Sequence, residues 1–334
     1  MLDHSFEENV CTFNKSEVIL GVDEAGRGPV LGPMVYACLY YPKENEEVLK
    51  EFGADDSKKL TSSNRDKINV KIRKEIDKFG WRIHSLSPEY LSCEMQKRKK
   101  HNLNEISHTA TIDLISSVLN NGVNVKEIYI DTVGPPEAYK NKLKRIFPNI
   151  SIVVKPKADS LFTSVSGASI LAKVKRDDFL LNWWDQPDVD KYDLNGNDIS
   201  KYEQGSGYPG DPKTKEFLKL TFDPIFGFPN IVRFSWSTAV DLINKDGYDV
   251  IWDLKDSEEN NQGKISFSNP KKKDNSSQLV QKFVPQKKDL ERVVHINSFV
   301  LVLFSLYNLK IRFNNLGAIH TTKLQTIQNL KGVK

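Results

Sequence analysis

Cysteine is scarce in this 334-residue chain: Cys11, Cys38 and Cys93 are all it has. They are odd in number and far apart, so they suit neither a disulfide framework nor the paired spacing of a zinc site, and they point to a reducing compartment. The start, Met1-Leu2-Asp3-His4-Ser5-Phe6-Glu7-Glu8, lacks the basic-then-apolar order of a secretory leader, so none is expected. Long apolar runs are missing too. The longest, residues 299–309, falls far short of the about 20 residues a membrane helix needs, which predicts an intracellular protein with no membrane partner. Nor is there a large surplus of one charge: 48 basic against 44 acidic side chains leave +4, so a local basic stripe would matter more than the net value. Core material is not short. With 39% hydrophobic and 10% aromatic residues the chain can bury a real core, which excludes wholesale disorder. Its length allows two domains, or one larger domain with appendages.

The hydrophobic pattern predicts an α/β fold. Residues 18–23 and 30–41 read as buried strands, and 81–86 alternates as a half-exposed strand should. A polar helix is expected after Thr61, whose hydroxyl suits an N-cap. Residues 104–119, 137–146 and 161–181 carry helical spacing, and short strands are expected at 127–131 and 150–154. Three strands followed by β-α-β-α give one mixed five-stranded sheet flanked by helices. Residues 254–292 are rich in Lys, Asp, Glu, Asn and Ser, as a linker would be, and no acid occurs from 292 to 334. The boundaries that follow are a catalytic domain at 15–195, an extension at 196–253, and a linker and tail at 254–334, disordered or partner-binding.

The chemistry gathers at strand ends. Asp23 and Glu24 end the first strand, Asp131 ends the fourth, and Asp159 follows the fifth. Functional groups of open α/β sheets collect beyond the carboxyl ends of strands. Carboxylates meeting there repel one another, and a divalent cation removes that penalty; an all-oxygen donor set suits Mg²⁺ or Mn²⁺ rather than zinc. Taken singly, each acid reads more simply as a solvated loop residue. The stretch Asp23-Glu24-Ala25-Gly26-Arg27-Gly28-Pro29 reverses that balance. Two glycines flanking an arginine directly after a buried strand let backbone approach a ligand, and the guanidinium adds donors for phosphate.

These residues resemble the type 2 ribonucleases H, and within them the catalytic chains of the eukaryotic enzymes. The resemblance runs through Gly21-Val22-Asp23-Glu24-Ala25-Gly26-Arg27-Gly28-Pro29-Val30-Leu31-Gly32-Pro33, then Asp56-Ser57-Lys58-Lys59-Leu60 and Asn102-Leu103-Asn104 with Ser107-His108. It continues through Tyr129-Ile130-Asp131-Thr132-Val133-Gly134, Lys157-Ala158-Asp159, residues 166–173, Gly205-Ser206-Gly207-Tyr208-Pro209 and Arg233-Phe234-Ser235-Trp236. It implies an RNase H-like fold with a small helical C-terminal extension carrying the Gly-Tyr-Pro loop. The family's catalytic, metal-holding carboxylates fall on Asp23, Glu24, Asp131 and Asp159. The implied reaction is two-metal-ion hydrolysis of the RNA strand in RNA/DNA hybrids, or at single ribonucleotides in duplex DNA. The cut lies 5′ of the ribonucleotide and leaves 3′-hydroxyl and 5′-phosphate ends. Ribonucleotide excision repair, RNA primer removal and DNA replication are the implied roles, in the nucleus.

The same resemblance assigns recognition of the 2′-hydroxyl and adjacent phosphate to Gly26, Arg27 and Gly28, and packing on the junction sugar to Tyr208; the 2′-hydroxyl is what distinguishes RNA from DNA. Lys58 and Lys173 resemble phosphate-contacting positions. The implied assembly is a heterotrimer with two non-catalytic subunits, docking on the C-terminal extension. The basic run Lys97-Arg98-Lys99-Lys100 reads as a nucleic-acid-facing or solvated surface, and Lys271-Lys272-Lys273 as a weak import signal. Gln262-Gly263-Lys264-Ile265-Ser266-Phe267 begins like a clamp-binding peptide but lacks paired aromatics. Two rivals compete with this reading. A junction resolvase or transposase nuclease would need no 2′-hydroxyl sensor, and an inactive scaffold chain would not keep four clustered acids.

Overall fold

The computed structural model describes residues 4–54, 60–97, 101–186, 189, 191, 192 and 198–248. Runs rich in β-branched and aromatic residues make the sheet: His4–Asn9 (β1), Val18–Ala25 (β2), Met34–Pro42 (β3), Gly80–Leu86 (β4), Val125–Asp131 (β5) and Ser151–Lys155 (β6). The order is β1-β4-β3-β2-β5-β6. The first three neighbouring pairs are antiparallel, and β2–β5 and β5–β6 are parallel. Between and after the strands lie Glu46–Glu51 (α1), Ser62–Lys74 (α2), Pro88–Gln96 (α3), Leu103–Asn120 (α4), Pro136–Ile146 (α5), Thr163–Leu181 (α6), Pro212–Leu220 (α7) and Ser237–Asp246 (α8). The expected α/β architecture is therefore present, with the parallel crossovers made by helices. No helix among the described residues is long and apolar enough to cross a membrane.

Six strands replace the five expected from sequence. The added strand, β1, is polar and acidic and shows no apolar alternation. It is held at the sheet edge by charge and stacking instead: Glu7 pairs with Arg73 and Lys175, Glu8 pairs with Arg82, and Phe6 stacks on His84 at a ring distance of 4.1 Å. Because β1 covers it, β4 is an interior strand and is buried along nearly its whole length, where its pattern had predicted half exposure. The run at 30–41 also divides. The strand starts only at Met34; Val30 and Leu31 belong to a segment in which Leu31 bridges to Val232. Gly32, with φ +80°, makes the break between them. Thr61 is the N-cap of α2 as expected, accepting from the Asn64 amide at 3.3 Å.

Each face of the sheet buries its own core. Leu20, Val22, Tyr36, Ile128 and Ile130 pack with Leu114 and Ile115 of α4 and Leu143 of α5. On the other face Val35, Ala37 and Leu39 pack with Ile68 and Ile72 of α2 and Ala168 and Leu171 of α6. A third cluster joins Val30 and Leu31 to Trp183, Phe217, Ile231 and Val232. The described residues fall into two units: one runs from the N-terminal strand to Asp223 and from Gly227 to Lys245, the other holds Pro224–Phe226 and the chain from Asp246. In the second, the Tyr248 amide donates to the Pro224 carbonyl at 2.8 Å. Lys58, most of the basic run at 97–100, and the whole of 254–334 with its lysine triplet and apolar run lie outside the described residues.

One contact fixes the height of α6 over the sheet. A Cβ on Gly21 would stand 2.3 Å from the Ser164 carbonyl carbon and 2.4 Å from the Val165 nitrogen, both backbone atoms that cannot swing aside. Gly21→Ala is therefore expected to destabilise the fold by about 1–3 kcal/mol or more in urea unfolding, as overpacking does. An unchanged midpoint would mean that α6 has slack the packing does not suggest.

Candidate active site

β2 and β5 run parallel, with Val22 opposite Ile130. Both side chains point into the α4 and α5 core, so by strand alternation the next pair, Asp23 and Asp131, faces the α6 side. Asp23 is buried at 5% exposure and Asp159, in the 3₁₀ turn Ala158–Ser160 just before α6, at 0%. The Asp23 carboxyl is pushed up to about 7, first by burial, then by the charges of Asp131 and Asp159; a Ser169 hydrogen bond from α6 and the Glu24 amide at 2.8 Å oppose the rise. Asp131 Oδ1 accepts from the Thr132 amide and the Ala158 amide, each at 3.1 Å. Lys157 takes the left-handed φ of +58° just before that second donor, an uncommon backbone for a residue with a Cβ. Glu24 leaves the opposite face of β2, where burial first, and then the Glu24 charge, raise the pKa values of Tyr36 and Tyr139. The three aspartates thus come together, with Glu24 beside them on the other face.

The turn after β2 is held from behind by the chain's C-terminal part. Arg233 is wholly buried. Its Nε donates to the Gly32 carbonyl at 2.8 Å, Nη1 to that of Arg27 at 3.2 Å and Nη2 to that of Gly26 at 2.5 Å. Trp236, over which the Arg233 guanidinium sits at 4.6 Å, donates its indole N–H to the Gly28 carbonyl at 3.0 Å. The carbonyls of Gly26, Arg27 and Gly28 are all occupied by protein donors, so the turn offers a ligand donors rather than acceptors. Burial and the neighbouring Arg176 cation lower the Arg233 pKa to about 9, still above neutrality, so the group keeps its charge. Arg27 itself reaches α4, donating to Ser107 Oγ at 2.6 Å and to Asn104 Oδ1.

Tyr208 comes to the same place. A Cβ on Gly28 would lie 3.3 Å from its ring, while the residue stays 51% exposed. Its loop is pinned on both sides. The Gly207 carbonyl accepts from the Val30 amide at 2.8 Å, and the Gly207 amide donates to Thr214 Oγ1 at 2.9 Å. Asp211, the N-cap of α7, accepts from the Ser206 amide at 2.6 Å, and hydrogen bonding by the Ser206 side chain first and its amide second holds the Asp211 pKa down to about 2. Lys173 is half-buried on α6, one helical turn beyond Ser169 and so on the same face. Lys58 lies outside the described residues. The sequence motifs contain Arg233, Trp236, Asn104 and Ser107, but sequence reasoning gave them no work. The available signal was the spacing of Arg233 and Trp236, a cation and an indole one turn apart.

The donors fit a divalent cation in chemistry. They are all carboxylate oxygens, and the repulsion that raises Asp23 is what a cation would relieve. Among the described residues no three Asp, Glu, His or Cys side chains are grouped closely enough to hold an ion as they stand.

Comparison with known proteins comes to the same region of the chain. A family model described as ribonuclease HII matches residues 20–239. The Mus musculus protein named as the A chain of ribonuclease H2 is 46% identical over 254 residues, 75% of this chain and 82% of that one. The Homo sapiens protein of the same name is 46% identical over 244 residues, 73% and 79% of the two chains. The crystal structure of the ribonuclease H2 from Pyrococcus horikoshii OT3 matches with a TM-score of 0.56 at 30% identity, covering 68% of this chain and 98% of that one.

The raised Asp23 carboxyl has a thermodynamic signature. A group whose folded pKa lies above its unfolded one contributes stability below the unfolded value, 3.8, and loses it as pH climbs through about 7. In metal-free buffer Asp23→Asn should therefore melt a few degrees above the wild type above about pH 7, with the difference closing toward about pH 4. Thermal scans across that range check the sign; a wild type that melts higher at alkaline pH would mean the charge is already compensated.

Proposed function

The chain belongs to the ribonuclease HII family and is a ribonuclease H, and from that premise we propose that it cuts RNA strands of RNA/DNA hybrids and single ribonucleotides embedded in duplex DNA. Cleavage falls 5′ of the ribonucleotide: the water oxygen to phosphorus bond forms, the phosphorus to 3′-oxygen bond breaks, and 3′-hydroxyl and 5′-phosphate ends remain. The observation that carries this reading is the juxtaposition of buried acids with a turn whose carbonyls are sequestered by Arg233 and Trp236 and whose Gly28 lies under the Tyr208 ring. Asp23, Glu24, Asp131 and Asp159 would hold Mg²⁺ or Mn²⁺. When bound, the two cations supply charge stabilisation for an in-line displacement at phosphorus.

The chain's own groups do the rest. Gly26, Arg27 and Gly28 present donors to the 2′-hydroxyl and the adjoining phosphate oxygens. Arg27 is oriented for this by Asn104 and Ser107, which engage one edge of its fork and leave other N–H groups to a ligand. Tyr208 packs its ring on the neighbouring sugar and turns its hydroxyl toward the same 2′-oxygen. Lys173 and Lys58 contact phosphates. The 2′-hydroxyl is read and not consumed, because water is the nucleophile. The relatives are named as one subunit of a larger enzyme, which supports a multi-subunit assembly; we take it to be a heterotrimer with two non-catalytic subunits docked through residues 196–253. Ribonucleotide removal, primer removal and replication in the nucleus are the corresponding roles.

Cleavage of a duplex carrying one ribonucleotide, set against an all-DNA control, tests the function directly. Asp131→Asn should lower that cleavage about 10³-fold or more, as loss of a principal electrostatic group does, with the fold intact; near-normal activity at saturating Mg²⁺ would remove Asp131 from the cation site.

Tyr208 separates sugar reading from simple binding. Tyr208→Phe removes one hydrogen bond, worth about 0.5–1.5 kcal/mol, and should slow cleavage about tenfold or less. Tyr208→Ala loses the ring as well and should fall further, chiefly on the single-ribonucleotide duplex, because a continuous hybrid offers many registers. Equal slowing on both substrates would make Tyr208 a structural residue.

A further inference from the structure

Arg176, on α6, has no place in the machinery described so far. Its guanidinium is pressed against the back of the turn. A Cβ on Gly26 would meet its Cδ at 2.7 Å and its Nε at 2.8 Å, and one on Gly207 would meet Nη2 at 3.5 Å. The side chain is only 11% exposed. Among the described residues, Nε and Nη2 have no hydrogen-bond partner. The remaining nitrogen, Nη1, reaches Asp177 Oδ1 only at 3.4 Å, and the other oxygen of that carboxylate is held by Arg65 at 3.2 Å. Arg233 lies near enough for the two cations to repel, and its own donors are spent on neutral carbonyls.

Two guanidinium ions therefore sit in the interior, and the carboxylate that reaches either of them, the partly exposed Asp177, reaches only Arg176 and is shared with Arg65. Buried charge is ordinarily paired, and leaving it unpaired costs stability. A methionine or leucine would fill the space behind Gly26 without that cost, so packing alone does not account for a charge here. The groups facing a ligand on the other side are those of Gly26, Gly28 and Tyr208, and the ligand of the proposed reaction is a polyanion.

We propose that Arg176 is a positioning residue for phosphodiester recognition: its under-paired charge, directly behind Gly26 and Gly207, sets the turn and the Tyr208 loop for a nucleic-acid phosphate that supplies the missing counter-charge. This rests on the reading of Gly26–Gly28 and Tyr208 as the substrate face. A low-dielectric setting strengthens the attraction, because a charge held in the interior is screened less than one in water. Burial lowers the Arg176 pKa, and the Asp177 charge works against that shift.

The test compares the full-length wild type with Arg176→Met and Arg176→Lys, measuring thermal midpoints without substrate, and kcat and KM on the single-ribonucleotide duplex at low and high salt. Arg176→Met should melt at or above the wild type yet raise KM about tenfold at low salt. Its kcat should stay within about twofold, because uniform binding is what has been removed. The KM difference should shrink as salt rises, and Arg176→Lys, which keeps the charge, should recover most of it. A Met variant with unchanged KM, or a Lys variant no better than Met, overturns the proposal. If Arg176→Met shows no thermal transition, Arg176→Gln carries the same comparison, and wild-type KM there overturns it too. A wild type that cuts all-DNA duplex as well as the ribonucleotide duplex would instead remove the substrate face itself, and this role with it.

Discussion

Repulsion among Asp23, Asp131 and Asp159 is the cost around which the rest of the chain is arranged. Carboxylates that feel one another's charge, two of them buried, would drift apart or take up protons unless their backbones were fixed. Three things fix them. Parallel pairing of β2 and β5 sets Asp23 beside Asp131. The Gly21 contact brings α6 down onto β2, so that Ser169 reaches Asp23 and the 3₁₀ turn before the helix carries Asp159 inward. Backbone amides of Glu24, Thr132 and Ala158 aim their dipoles at the acids. The two apolar cores on either face of the sheet supply the free energy that holds this arrangement.

An opposite constraint operates at the adjoining turn. There the chain buries Arg233, with neutral carbonyls and an indole against it, and Arg176, two of whose nitrogens have no hydrogen-bond partner among the described residues. The sign alternation suits one substrate. A phosphodiester brings negative charge to the cationic side, while the acids repel it unless cations intervene. Binding and chemistry are thus separated by charge over a span of a few residues, from Asp23 to Gly28. Strand β2 ends where one environment gives way to the other.

Much of this could be read from the chain's letters, and the exceptions share a cause. The acids and the glycine turn were legible because they follow directly on a buried apolar strand, which locates them in the fold. Strand β1 was not, since its pairing is ionic and aromatic and leaves no period-two pattern; the burial of β4 was misread for the same reason. The strand expected from residue 30 is interrupted by Gly32, and Val30 and Leu31 pair instead with Arg233 and Val232, about two hundred residues away. Arg176 lies in a charged stretch of a helix, Lys175-Arg176-Asp177-Asp178, where an exposed arginine would look the same. Only the packing around Gly26 and Gly207 distinguishes it.

The division of labour within the glycine turn follows from which atoms the protein has already used. A turn free on both sides would offer carbonyl acceptors as readily as amide donors, and would bind donors and acceptors alike. Arg233 and Trp236 take the carbonyls of three consecutive residues, and Arg27 spends one edge of its fork on Asn104 and Ser107. What remains is a donor surface backed by positive charge and edged by an aromatic ring. In the proposed role such a surface would accept a phosphate oxygen from any nucleic acid, but would gain from a hydroxyl only where the sugar carries one at the 2′ position. On the proposed reading, selectivity for ribose lies in backbone geometry, which α3, α4, α7 and the C-terminal segment hold in place together, so a side-chain change far from the acids would alter it without touching the chemistry.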